Sequence, residues 1–200
     1  MRERLNPVGL AGLVLAAGLG RRFDPSGRRW KLAEPLPDGR PVLRATCEAL
    51  LESVDALLVV CGERESDAAR VLDGLPLAVL RCPDARAGMG ATLKCGVRAA
   101  EPSIGWLVAL GDMPFVGAGT LRVVGESLRS GGRIVRPWHD GRPGHPVGFG
   151  AGLRTELLAI GDAAGAGELI RRHGREVVAL ELDDPGCVRD VDTPADLAGA

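Results

Sequence analysis

Short apolar runs alternate along this chain with segments whose apolar residues fall three and four apart, and that alternation constrains the fold more than any other feature. Runs at residues 8–16, 56–61, 77–81, 106–110, 133–137, 147–149 and 177–182 read as strands. Segments 42–51, 65–72, 91–100 and 120–128 read as helices, because a 3.6-residue period puts their apolar side chains on one face. Strands alternating with helices predict an α/β fold with a mostly parallel central sheet covered on both faces. Such sheets bind ligands beyond the carboxyl ends of their strands, so chemistry is expected in the loops that leave them. Two hundred residues bury a core without staples, and no linker or repeat divides the sequence, so a single domain over 1–200 is expected.

Composition removes several classes. Hydrophobic residues at 46% and charged residues at 26% are ordinary for a folded domain. The 25 basic residues against 26 acidic ones leave a formal charge of -1, so no global field draws nucleic acid or an anionic membrane. No run approaches the roughly 18 apolar residues of a membrane span, and the charged N-terminal residues are not followed by a long apolar segment. The five cysteines are odd in number and form no C-x-x-C pair, which argues against a disulfide framework or a zinc ribbon. Cys61 ends an apolar run and reads as a small core residue. A cytoplasmic protein is expected.

The first strand leads into "LVLAAGLGRRFDPSGRRWK" (13–31), an apolar run, then glycines, then positive charge. A chain turning on Gly18 and Gly20 exposes backbone N–H groups just before Arg21, Arg22, Arg28, Arg29 and Lys31. Amides and guanidinium groups together suit a polyphosphate, although the same residues suit a glycine-rich turn with solvated basic side chains. The segment 23–41 has neither helical nor strand period, and its length predicts a loop that moves over a ligand.

Four later features stand at predicted strand ends or in loops. In "GDMP", Asp112 follows a strand and can hold Mg²⁺, or it merely opens a turn before Pro114. In "AGMGATLKCGV", Gly88, Gly90 and the amides of Met89 and Ala91 can approach a ribose or phosphate and Thr92 offers a hydroxyl; a plain helix entry has the same composition. In "PGHPV", His145 sits in a constrained loop as a substrate contact or a structural histidine, with proton transfer the lesser option. In "RDVDTP", Asp190 and Asp192 precede a closing helix with Thr193 as cap, Pro194 at its first position and Asp196 reaching back. Asp112 and Asp192 form a two-carboxylate Mg²⁺ site if the fold sets them side by side. The hairpin-like stretch 138–149, with its Asp-Gly turn, is placed to carry a second substrate.

P-loop hydrolysis, zinc proteolysis and serine hydrolysis lack their signatures here. Dinucleotide-linked redox chemistry fits the strand and helix pattern, but "GLGRRF" lacks the third glycine of G-x-G-x-x-G.

Taken in order, "LAAGLGRRF…K", "GMGATL", "LGDMP", "GHPVGF" and "DVDTPADL" resemble the motifs of the MobA-like nucleotidyltransferases of molybdenum-cofactor biosynthesis, most of all the molybdenum cofactor cytidylyltransferase branch. The resemblance covers essentially the whole chain. It implies a three-layer Rossmann-like nucleotide-diphospho-sugar transferase fold, and Mg²⁺-dependent transfer of CMP from CTP to molybdopterin with release of pyrophosphate. It also implies that Leu15, Ala16, Ala17 and Gly18 contact base and ribose, that Arg22 and Lys31 meet the triphosphate, and that Asp112 with Asp192 carries the metal. Arg22, Lys31 and Asp112 are thereby the catalytic residues. The opening L-A-A-G goes with CTP and L-A-G-G with GTP, so Ala17 argues for cytidine. A molybdoenzyme or its maturation factor is the implied protein partner. Alternatives are the same transfer with GTP or another phosphorylated acceptor, and a non-catalytic molybdopterin carrier. The chain departs from the family pattern in having eight residues, "FDPSGRRW", between Arg22 and Lys31, in Asp24 where the family has glycine, and in Gly167 where it often has arginine.

Overall fold

The computed structural model describes residues 9–198. Eight strands form one sheet: β1 (Leu10–Ala16), β2 (Ala56–Cys61), β3 (Ala78–Arg81), β4 (Gly105–Leu110), β5 (Ile134–His139), β6 (Arg142–Pro143), β7 (Val147–Gly150) and β8 (Val177–Glu181). The order is β3-β2-β1-β4-β7-β5, with β6 and β8 both paired to β5. Pairing is parallel from β3 through β4 and between β5 and β8, while β7 runs antiparallel to β4 and β5. The mostly parallel α/β sheet expected from the sequence is present. Val8, expected at the start of the first strand, lies outside the described residues.

Six helices cover the sheet: α1 (Val42–Leu51), α2 (Glu65–Val71), α3 (Met89–Ala99), α4 (Ala118–Arg129), α5 (Arg154–Leu158) and α6 (Gly167–Arg172). Alternation along β1 explains the layering. Leu10 and Val14 join a core beneath α1, α2 and α4, while Ala11 and Leu13 join a second core beneath α3, α5 and α6. Both faces being covered, β1, β2 and β4 read as nearly unbroken apolar runs. Cys61, within this core, is fully buried, and burial pushes its thiol up to about 11. Between β5 and β6, Asp140 and Gly141 both adopt positive φ, +50° and +69°, the geometry that a two-residue hairpin turn requires. None of the described helices is long and apolar enough to cross a membrane.

One expectation is corrected. The segment 23–41 is no free-swinging loop: Phe23, Trp30, Leu32 and Leu36 are buried in the core beneath α1, and an isolated bridge pairs Pro35 with Pro41. Apolar side chains with no regular spacing anchored it, and periodicity does not detect such anchors. The closing helix is a short 3-10 turn, Pro194–Ala198, and Asp196 does reach back, accepting from the backbone N–H groups of Asp192 and Thr193.

At the far edge of the sheet, His173 bonds Glu156 at 2.7 Å and Glu176 at 2.9 Å, and Arg133 pairs with both glutamates. The hydrogen bond to Glu156, followed by that to Glu176, raises the His173 imidazole above its ordinary 6.5, and His173 in turn holds both carboxyls below their ordinary 4.5. The histidine's contribution is complete below 6.5 and is lost as pH rises through its higher folded value; the carboxyls' contribution is complete above 4.5 and is lost on acidification. His173→Gln is therefore expected to lower the melting temperature more at pH 6 than at pH 8.5, as thermal melts across that range would show.

Candidate functional site

Strand order reverses at β1, which sends its chain to β2 on one side and pairs with β4 on the other, and ligands of such sheets bind at that crevice. A cavity of about 780 Å³ opens there, beyond the carboxyl ends of the strands. One wall is the turn after β1, where Gly20 takes a φ of +63° that a side-chain-bearing residue adopts at a cost. Leu15, Ala17, Gly18, Gly20, Arg22, Lys31, Gly88, Thr92, Asp112 and Asp192 all line the cavity. Alternation puts Leu15 and Ala17 on the cavity side while the side chain of Ala16, between them, is 2% exposed and packs in the core.

The acidic end is built by the two chain segments that meet beside β1. Asp112 leaves β4, and its backbone carbonyl accepts from the Val191 N–H at 2.8 Å, which pins the segment carrying Asp190 and Asp192 against it. Carboxylate oxygens of Asp112, Asp190 and Asp192 thereby come within 4.8 Å of one another. Three hard oxygen donors in that space suit a divalent cation, and the cluster already takes a cation, because Lys31 Nζ lies 2.6 Å from Asp112 and 3.2 Å from Asp192. Arg22 pairs with Asp192 from the solvent side. Asp190 was not singled out as a metal ligand in the sequence. The signal was available, since in extended chain residues two apart project to the same side.

The extra length between Arg22 and Lys31 does not carry Lys31 away. Asp24 turns from the cavity and organises its own loop, accepting from the N–H groups of Ser26 and Arg29 and from the Ser26 hydroxyl. The Arg29 N–H, with Ser26 next, lowers its carboxyl to about 2. The loop closes on buried Trp30 and returns Lys31 to the aspartates.

The structure sets two other expected residues apart from the cavity wall. Gly90 faces the backbone of 161–164: a Cβ there would lie 2.0 Å from the Gly161 carbonyl and 2.3 Å from that of Ala164. The Ala91 N–H is likewise committed, donating to the Asp162 carbonyl at 3.1 Å. That part of α3 is thus covered by neighbouring backbone, and of this motif's expected residues Gly88, Met89 and Thr92 reach the cavity. His145 borders a separate void of about 10 Å³ with Thr46, Leu110 and Met113, and its buried Nδ1 has no hydrogen-bond partner among the described residues. Burial, then Arg136, lowers the imidazole to about 4, so the ring is neutral at pH 7. The rest of the wall includes Leu19 of the glycine turn and, outside any motif, Gly62 after β2, Arg81 at the end of β3, and Pro83, Ala85 and Arg86 just beyond it.

The residues matched by the MobA-like NTP transferase domain, 12–177, span most of the described sheet, and the chain belongs to that family. Among solved structures it is similar to a nucleotidyl transferase from Methanothermobacter thermautotroptrophicus, at 28% identity and a TM-score of 0.81 over 94% of both chains. It is also similar to Rv0371c of Mycobacterium tuberculosis H37Rv in complex with manganese, at 28% identity and a TM-score of 0.72 over 94% and 95% of the two chains. Among curated proteins, it is 35% identical over 150 residues to the bifunctional protein GlmU of Leifsonia xyli, and the match takes in 73% of this chain but only 30% of that one. It is 28% identical to nicotine blue oxidoreductase of Paenarthrobacter nicotinovorans over 92% of each chain.

Gly90→Ala is expected to destabilise the fold by about 1–3 kcal/mol, because backbone rather than a flexible side chain must move to admit the methyl group. Urea melts beside Gly18→Ala, whose Cβ would meet nothing within 4 Å, check this.

Proposed function

We propose that this chain is one nucleotidyltransferase domain that moves CMP from CTP to molybdopterin, with release of pyrophosphate. The observation that carries the reading is the pairing, in one cavity, of a basic glycine turn with three converging carboxylates. On this reading Leu15, Ala17 and Gly18, which line the cavity, take base and ribose, and Gly20, Gly88 and Thr92 take ribose or phosphate. Ala17 favours cytidine through the L-A-A-G form of the motif. Asp112, Asp190 and Asp192 would hold Mg²⁺, or the manganese found with the Rv0371c relative, and the metal supplies charge neutralisation to the triphosphate.

The chain's own residues account for the rest of the chemistry. Arg22 and Lys31 neutralise charge on the departing pyrophosphate, and the turn on Gly18 and Gly20 admits the phosphates close to backbone N–H groups. The terminal phosphate of the acceptor attacks the α-phosphorus in line and the bond to pyrophosphate breaks. A phosphate nucleophile is already deprotonated near pH 7, so transfer depends on positioning and electrostatics and needs no general base. His145, neutral and enclosed beside Leu110 and Met113, carries no proton in this transfer.

Asp112→Ala is expected to keep the fold and to lower metal-dependent pyrophosphate release from CTP at least about a hundredfold, a loss on the scale of removing one transition-state electrostatic partner. A variant that stays active without metal would overturn the reading. With molybdopterin present, release from CTP is expected to exceed release from GTP.

A second reading is favoured by the full-length similarity to nicotine blue oxidoreductase. On that reading the same cavity takes a nicotinamide dinucleotide and the chain is a reductase. Saturable NADPH or NADH binding, with no CTP binding, is the outcome that would select it.

A further inference from the structure

Lys31 is placed where a phosphate-binding lysine would not by itself be expected. Its side chain is 10% exposed, and its ammonium group is bonded to Asp112 and Asp192 rather than turned toward the glycine turn. Those carboxylates are two of the three that converge within 4.8 Å. An ammonium is a compact point charge with three donors, so it offsets their repulsion much as a metal ion would. Arg22 completes the compensation at Asp192. A divalent cation and the Lys31 ammonium compete for the Asp112 carboxylate, since two positive charges held that close repel.

Resting on the nucleotidyltransferase reading of this site, we propose that Lys31 is a tethered counter-cation that occupies the metal position in the free protein. It yields that position when nucleotide phosphates draw it off the carboxylates. The geometry provides the route. A Cβ added at Gly20 would lie 3.4 Å from Lys31 Cγ and 3.8 Å from Cβ and Cδ, so the lysine stem runs beside the glycine turn. Buried Trp30 and Leu32 on either side hold its backbone. Side-chain rotation therefore moves the ammonium between carboxylates and phosphates without refolding the loop. The exchange is a coupling between two ligands and is reciprocal: nucleotide tightens metal by the factor by which metal tightens nucleotide. The free protein is thereby a poor metal binder, and metal and nucleotide enter together.

The test is Mn²⁺ titration of the whole chain without nucleotide, followed by the electron paramagnetic resonance of free Mn²⁺. Lys31→Met is expected to bind Mn²⁺ at least about tenfold more tightly than wild type, because a competing charge in direct contact is gone. Lys31→Arg, which keeps the charge, is expected to bind as weakly as wild type. Arg21→Met removes the same formal charge from the cavity wall, where Arg21 pairs with none of the three aspartates among the described residues, and is expected to stay within about twofold of wild type. Lys31→Gln carries the same expectation as Lys31→Met should the latter melt below the assay temperature. Equal affinities in wild type and both neutral variants would overturn the exchange, and so would an equal gain in Arg21→Met. Pyrophosphate release from CTP by wild type, measured alongside, separates the two failures: with release intact only the exchange falls, and with neither release by wild type nor Mn²⁺ uptake by any variant the transferase reading falls as well.

Discussion

Three carboxylates with oxygens within 4.8 Å of one another repel, and much of the architecture around the cavity brings positive charge to them. Lys31 supplies it from a side chain nine-tenths buried, which obliges the chain before it to be held in place. Phe23 and Trp30 enter the core at both ends of the exposed turn 24–29, and Asp24 gathers the N–H groups between them. What reads in sequence as an inserted loop is a brace that delivers one ammonium group to one position. The backbone bond from Val191 to Asp112 is the complementary constraint, since it brings a C-terminal segment to the end of a central strand.

The cavity is asymmetric in charge and in the way its parts are built. Its acidic end is assembled from β4, the closing segment and Lys31, all tied by hydrogen bonds of 2.6 to 3.2 Å. Its opposite end, around Arg81, Pro83, Ala85 and Arg86, is built from the end of β3 and the turn after it, where the Cys82 N–H donates to the Cys61 carbonyl at 2.8 Å and Arg86 pairs with Glu63 at 2.7 Å. Relatives of this chain bear names as different as GlmU and nicotine blue oxidoreductase. One scaffold serves different chemistries when the strand ends are kept and the loops differ, so the fold settles the family and the site must settle the substrate.

Much of the fold was legible in the sequence because the signals were local. Helix 42–51 and strand 56–61 match their expected bounds residue for residue, since a period of 3.6 and a short apolar run flanked by turn residues are both visible in a ten-residue window. The closing Thr193, Pro194 and Asp196 are likewise a pattern of neighbours. The placement of 23–41 was not legible, because buried Phe23, Trp30, Leu32 and Leu36 follow no period and their partners lie far along the chain. Gly90 misled for the same reason: a glycine needed for close backbone approach looks alike whether the backbone belongs to 161–164 or faces a ligand.

By itself the sequence determined the longer strands and helices α1 to α4, their alternation, and the residue types that would stand at strand ends, since each of these depends on side chains a few positions apart; the short α5 and α6 were not among its expectations. Only the tertiary structure decided that Asp190 joins Asp112 and Asp192, that Lys31 pairs with Asp112 and Asp192, and that His145 is set apart from the cavity with its Nδ1 enclosed. Those outcomes depend on distances between segments about 80 to 160 residues apart, which are set by strand order and by one backbone hydrogen bond rather than by any local preference.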